Sequence, residues 1–250
     1  MHPLSDEAKR RKIDENPFAD LKVSDYSFLD SIQERTNCSK CEKSRKYFCY
    51  ICYLPVKQLE GRIPQLQLPI KIDIIKHKNE IDGKSTSSHA AIIAPNDVRV
   101  FTFPCVPEYD PDEGVILIYP GKGAKSVKEY FEANKGVVKS NGMPFSRAVF
   151  IDSTWKQSKR IFNDERLQNL PKVILKNKIS QFWRHQKNSP RWYLATIEAI
   201  HELLREIECE MGKTYDGKYD DLLFFFCFMY SKIHTYYDHE TLLSYKRPLE

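Results

Sequence analysis

The chain has 250 residues, enough for one substantial core plus a small appendage, and its 41% hydrophobic and 29% charged content is that of a water-soluble globular protein. The longest apolar run, Leu222 to Tyr230, falls well short of the roughly 20 residues that span a bilayer, so no membrane anchor is expected. A net charge of +5 tilts the expected partners towards polyanions, and with no obvious interaction segment no obligate protein partner is expected.

Residues 1–36 read as a polar leader, disordered or weakly helical, with at most one short amphipathic helix between Phe18 and Ile32. Lys9-Arg10-Arg11-Lys12 within it has the composition of a short nuclear import segment, which points to the nucleus, with or without a cytoplasmic pool. A small module follows at residues 37–66. Cys38, Cys41, Cys49 and Cys52 form C-x2-C-x7-C-x2-C, two knuckle pairs spaced to close a tetrahedral thiolate cage around structural zinc. Disulfides are the weaker reading, because the first thirty residues hold no apolar segment of a secretory leader. Lys43 and Arg45, interleaved with Tyr47, Phe48 and Tyr50, suit phosphates and stacked bases; equally, the rings can simply pack around the metal.

From residue 67 to 240 the pattern alternates. Strands are expected at Ile70–Ile75, Val98–Phe103, Val115–Tyr119, Ala148–Ile151, Val173–Leu175 and near Gln181–Trp183. Helices are expected near Thr86–Ala94 and Ser126–Ala133, and after Trp155. Two more follow: Thr196–Met211, with Ile197, Ile200, Leu204 and Ile207 on one face, and a buried helix from Leu222 to Tyr236 behind Asp220-Asp221. This alternation predicts an α/β fold, a mostly parallel sheet flanked by helices, with residues 241–250 as a tail.

Ligands of such sheets bind at the carboxyl ends of the strands. There the sequence places Asp152-Ser153-Thr154-Trp155, directly behind the apolar run Ala148–Ile151; Asp152 is either a site residue or the cap of the following helix. Tyr119-Pro120-Gly121 ends another strand with a ring, a rigid turn former and a residue that admits close backbone approach. Asp82-Gly83-Lys84-Ser85-Thr86 resembles the end of a phosphate-binding loop but lacks its earlier glycine, so a nucleoside triphosphatase is not expected and an exposed turn is the better expectation. Arg184 and Arg191 lie among rings in one loop, suited to RNA phosphates. Glu198, in the first turn of its helix, has a sufficient explanation as a stabilising charge.

The cysteine pairs, the D-x-T-W match at Asp152–Trp155 and the Thr196-x-Glu198-Ala199 helix start together resemble the DTW-domain family, over the chain from Cys38 to about Tyr236. The resemblance implies a fold similar to the knotted SPOUT methyltransferases. It also implies transfer of the 3-amino-3-carboxypropyl group of S-adenosylmethionine to N3 of a tRNA D-loop uridine. Carried over by position, Asp152, Thr154 and Trp155 become catalytic candidates, and Tyr119, Pro120, Gly121, Thr196, Glu198 and Ala199 candidates for holding S-adenosylmethionine. Arg184, Arg191, Lys43 and Arg45 would grip the tRNA. His77 and Glu80 match a family H-P-x-E stretch in which Lys78 replaces the proline. Uridine N3 must lose its proton to attack, and Asp152 is the candidate base; the alternative has Asp152 hydrogen-bond the donor or cap the helix while water takes the proton. A methyltransferase using the same donor, and a zinc-dependent RNA-binding module without catalysis, are the rival readings.

Overall fold

The computed structural model describes residues 16–175, 178–183 and 193–237. The basic run Lys9–Lys12, the RNA-contact candidates Arg184 and Arg191 and the tail at 241–250 lie outside the described residues. Two small antiparallel pairs come first, β1 (Thr36–Asn37) with β2 (Ser44–Arg45) and β3 (Phe48–Cys49) with β4 (Leu54–Pro55). The main sheet contains β5 (Lys71–Lys76), β6 (Val98–Thr102), β7 (Val115–Ile118), β8 (Lys125–Ser126), β9 (Arg147–Asp152) and β10 (Lys172–Ile174) in the order β6-β5-β9-β7-β10-β8. Every pairing in it is parallel, as the alternating pattern predicted. The helices are α1 (Ser87–Ile93), α2 (Val127–Ala133), α3 (Trp155–Phe162), α4 (Glu165–Gln168), α5 (Thr196–Glu210) and α6 (Phe224–Tyr236). No helix among the described residues is long and apolar enough to cross a membrane.

The central strand β9 sits between β5 and β7, with Ile74 and Ile118 both level with Phe150. Side chains alternate across the pleat. Ile72, Ile74, Ile116, Ala148 and Phe150 join the large core beneath α1, α5 and α6, while Ile75, Val115, Leu117 and Val149 pack on Ile161 and Leu167 of the other layer. Both faces are thus covered, which is why the strands read as nearly continuous apolar runs. Phe48, Val56, Leu59 and Ile63 of the cysteine region belong to that same large core. Phe48 packs 4.5 Å from Phe225, ring centre to ring centre, so residues 37–66 form a corner of the main body.

The leader does not form the one helix it was allowed, and one expected strand is absent. Between Phe18 and Ile32 the chain makes only one short 3-10 turn, Ser27–Ser31. Along this irregular path Phe18 reaches Phe226 and Tyr230, and Tyr26 reaches Phe224. Near Gln181–Trp183 no strand forms, because the Gln181 N–H donates to the Glu198 carboxylate (2.7 Å) rather than to a sheet neighbour.

Asp220 and Asp221 do not cap α6 but pin the amino-terminal segment. Asp220 accepts from the Lys22 N–H (2.8 Å) and the Tyr215 hydroxyl (2.7 Å) and pairs with His201 Nε2 at 2.7 Å; Asp221 accepts from the Ser24 N–H at 2.6 Å. His201 is fully buried, and burial lowers its pKa in spite of the neighbouring carboxylate. It therefore folds neutral, and protonation in the unfolded chain, ordinarily near pH 6.5, favours unfolding. The stability it contributes is complete above about pH 6.5 and is lost as pH falls through the lower folded value, at up to about 1.4 kcal/mol per pH unit. Thermal unfolding from pH 8 to pH 5 should show this slope, and His201→Gln should flatten it.

Candidate active site

Four strand ends converge at the carboxyl edge of the sheet. Asp152 is the last residue of β9, level with Lys76 of β5, and its carbonyl accepts from the His77 N–H at 3.0 Å. Its side chain is buried, with both oxygens engaged: Oδ2 accepts from the Ser85 hydroxyl (2.5 Å) and Oδ1 from the Thr196 hydroxyl (2.7 Å). Ser87 Oγ lies 2.5 Å from Ser85 Oγ, and Thr86 Oγ1 accepts from the Ile197 N–H at 3.2 Å. One carboxylate thus ties the segment leading into α1 to the start of α5. The cap of α3 is Thr154, and Asp152 gives that helix no side-chain bond. Of Asp82–Thr86, expected as an exposed turn, Gly83 and Lys84 are exposed but Ser85 and Thr86 are buried.

A cavity of about 370 Å³ opens beside this cluster, lined among others by Tyr119, Pro120, Ile151, Ser153, Leu175 and Thr196. Its size falls within the roughly 300–1,000 Å³ of small-molecule sites. Tyr119 is fixed twice over, by a 2.8 Å hydrogen bond to Ser158 Oγ and by stacking on Phe162 at 4.6 Å. Ser158, missed in the sequence, stands three residues beyond Trp155, where one face of α3 returns to the cavity. Ala199 occupies the wall one turn beyond Thr196, where its small side chain leaves space.

The remaining sequence candidates sit around this cavity rather than on its wall. Gly121 lies against α3; a Cβ there would come within 3.3 Å of Lys172 and 3.6 Å of Phe162. Thr154 is exposed and its hydroxyl donates to Gln157 Oε1 at 2.9 Å. Trp155 opens α3, and its side chain lies outside the described residues. Glu198 is buried and accepts from Ser180 Oγ (2.7 Å), the Gln181 N–H (2.7 Å) and the Ala195 N–H (2.8 Å). Burial pushes its pKa up against those donors. Its visible work is to anchor the segment that carries Tyr193 and Leu194 to the cavity wall. His77 is buried, and its Nδ1 accepts from the Asn79 N–H at 3.2 Å, a local turn formed without the proline that Lys78 replaces.

The four knuckle cysteines come together with all four sulfur atoms within 4.8 Å of one another, a set that can hold a metal ion. Each pair is shaped alike: the N–H of Lys40 points at Cys38 Sγ and that of Cys52 at Cys49 Sγ, both at 3.4 Å. Glu42 and Tyr53, the residues after the second cysteine of each pair, both take φ of 57°. Burial pushes the Cys49 thiol up, yet the N–H groups of Cys52 and Ile51 and the Arg45 guanidinium outweigh it and hold the pKa at about 6. Arg45 is itself buried and stacks 4.0 Å over Tyr50, so its charge is directed at the sulfur cluster, whereas Lys43 is exposed.

Comparison with known proteins bears on the whole of this arrangement. The family model described as the DTW domain matches residues 46–234. A Xenopus tropicalis protein named tRNA-uridine aminocarboxypropyltransferase 1 is 41% identical, over 87% of this chain and 86% of its own. The Homo sapiens protein of the same name is 40% identical over 88% of this chain and 84% of its own, and the Mus musculus one 38% identical over 88% and 84%. No solved structure matches the chain. The matched residues include the carboxyl edge with Asp152, Tyr119 and Thr196, and on model and relatives alike this chain belongs to the DTW-domain family.

Proposed function

We propose that this protein is a tRNA-uridine aminocarboxypropyltransferase, as its relatives are named, and that its donor is S-adenosylmethionine and its target N3 of a D-loop uridine. The observation that carries the reading is the Asp152–Thr196 hydrogen bond at the cavity wall. Because the Thr196 hydrogen is committed to Asp152, the same oxygen offers only its lone pairs to the cavity. That suits the ammonium of an amino-acid arm, with the Asp152 charge one hydroxyl behind it. Ile151 and Leu175 give the rest of the wall an apolar surface for the nucleoside, and Tyr119, held by Ser158 and Phe162, adds a rigid ring.

In the reaction so read, Asp152, which stands behind Thr196 rather than on the cavity wall, takes up the N3 proton by way of the Thr196 hydroxyl. The freed electron pair forms the N3–carbon bond, the carbon–sulfur bond breaks, and its electrons remain on sulfur, leaving methylthioadenosine. A sulfonium has three carbons that can be attacked, so the residues that aim the donor decide which one moves. Thr196 and Ala199, one turn apart on α5, are the residues placed to do this.

A threaded crossover of the SPOUT kind is supported by connectivity. The chain from Tyr119 to Ala124 joins β7 to β8, the two strands that flank β10, so the chain leaving β10 has to pass that connection. Four thiols favour zinc as the metal of the cysteine cluster, and Lys9–Lys12 favours residence in the nucleus. Titration calorimetry with S-adenosylmethionine tests the donor. One site per chain is expected, and Ala199→Trp, which fills the cavity, should abolish it; a wild-type protein that takes up no S-adenosylmethionine contradicts the reading.

A further inference from the structure

Helix α3 buries Ser158 and Ile161 and turns the opposite stripe, Lys156, Lys159 and Arg160, to solvent. The connection between β7 and β8 adds exposed Lys122, and the first residue of β8 adds exposed Lys125. The two elements are locked together: the Tyr119 hydroxyl meets Ser158 at 2.8 Å, its ring stacks on Phe162, and the backbone at Gly121 lies against the same ring. Tyr119, Pro120 and Ser158 also line the cavity, so this cationic surface borders the cavity mouth.

What marks this face is that five cations without a carboxylate partner among the described residues are gathered on two elements locked together. Lys71, Arg99, Lys218 and Lys232 each pair with a carboxylate, whereas among the described residues none of the five does. Unpaired like charges on one rigid surface repel one another and are relieved by a polyanion. The Arg160 guanidinium also stands 6.0 Å over the Phe103 ring.

We infer that the sugar–phosphate backbone of the tRNA docks across the outward stripe of α3 and the Tyr119–Lys125 connection, bringing a loop nucleotide to the cavity mouth. This surface rests on the aminocarboxypropyltransferase reading and differs from the earlier candidates: Arg45 is turned inward, and Lys43 lies in the cysteine module. Phosphate contacts position a nucleic acid without reading its sequence, so the surface supplies affinity and register, while the choice of uridine falls to the cavity.

The test is the triple variant Lys156→Gln, Lys159→Gln, Arg160→Gln, whose positions are exposed and outside the cavity. Tethering of tRNA is measured by anisotropy over a salt series, alongside transfer kinetics and calorimetry with S-adenosylmethionine. Expected are a KM for tRNA raised about tenfold or more and a log–log salt slope shallower by roughly 2, as loss of about three phosphate contacts dictates. Donor affinity should be unchanged. Unchanged tRNA KM and salt slope in a variant that still transfers would overturn the docking surface and leave the activity standing. Absence of transfer by the wild-type protein would instead overturn the activity, and the salt slopes would still decide whether RNA binds here.

Discussion

Asp152→Asn should cut turnover of aminocarboxypropyl transfer by about 10²–10⁴-fold, the usual contribution of a positioned general base, while leaving the fold in place and weakening donor binding far less, through loss of the charge behind Thr196. The amide keeps the shape of the carboxylate, and the hydroxyls of Ser85 and Thr196, which now both donate to Asp152, can each turn to accept instead. What the variant loses is the capacity to take up a proton. Ser85→Ala is the finer companion. Ser85 donates to Asp152 Oδ2, so its removal loosens one side of the clamp on that carboxylate, and turnover should fall by less than in Asp152→Asn. The measurement is single-turnover transfer to unmodified tRNA at saturating S-adenosylmethionine, with donor affinity taken separately. Full turnover by Asp152→Asn would reduce Asp152 to a clamp between Ser85 and Thr196 and leave water to take the proton.

Removal of the metal should have the largest effect on structure. Between Thr36 and Pro55 the backbone forms only two strand pairs of two residues each, too little regular structure to hold a module by itself. In zinc-finger peptides the metal contributes about 10–16 kcal/mol of apparent binding energy, which is also folding energy, against about 5–15 kcal/mol for the whole stability of an ordinary domain. The loss will not stay local, because Phe48 packs on Phe225 and His89, and Tyr47 on Phe228. On chelation, one equivalent of zinc per chain should be released. Amide exchange should rise across residues 36–63 and then in α6, whose Phe224, Phe225 and Phe226 are fully buried. Cys49→Ser should give the same pattern without a chelator. Protection that persists after complete removal of the metal would show that the module is held by its apolar contacts alone.

The parallel sheet was legible because its strands are covered on both faces and so write long apolar runs at alternating intervals, and the cysteine cage because a tetrahedral site fixes the spacing of its ligands. The candidate site was legible in outline, since strand ends and helix starts can be located, and Asp152 and Tyr119 fall on the former and Thr196 on the latter. What could not be read was which groups meet. Ser85 lies 67 residues from Asp152 in the chain, and nothing local distinguishes a buried hydroxyl run from an exposed turn. Arg45 illustrates the converse: a cation among rings looks like an RNA contact, yet in the fold its partners are Tyr50 and the cysteine cluster. Likewise Asp220 and Asp221 carry the usual marks of a helix cap, but they hold Lys22 and Ser24, nearly two hundred residues away.

The central claim is that the cavity aims the amino-acid arm of the donor, and not its methyl group, at an RNA nitrogen. Unmodified tRNA incubated with the protein and S-adenosylmethionine labelled in its amino-acid portion, digested to nucleosides and weighed by mass spectrometry, tests it directly. The account predicts a single labelled uridine derivative heavier by the 3-amino-3-carboxypropyl group, with methylthioadenosine released in equal amount; an unlabelled methylated nucleoside with release of S-adenosylhomocysteine would contradict it.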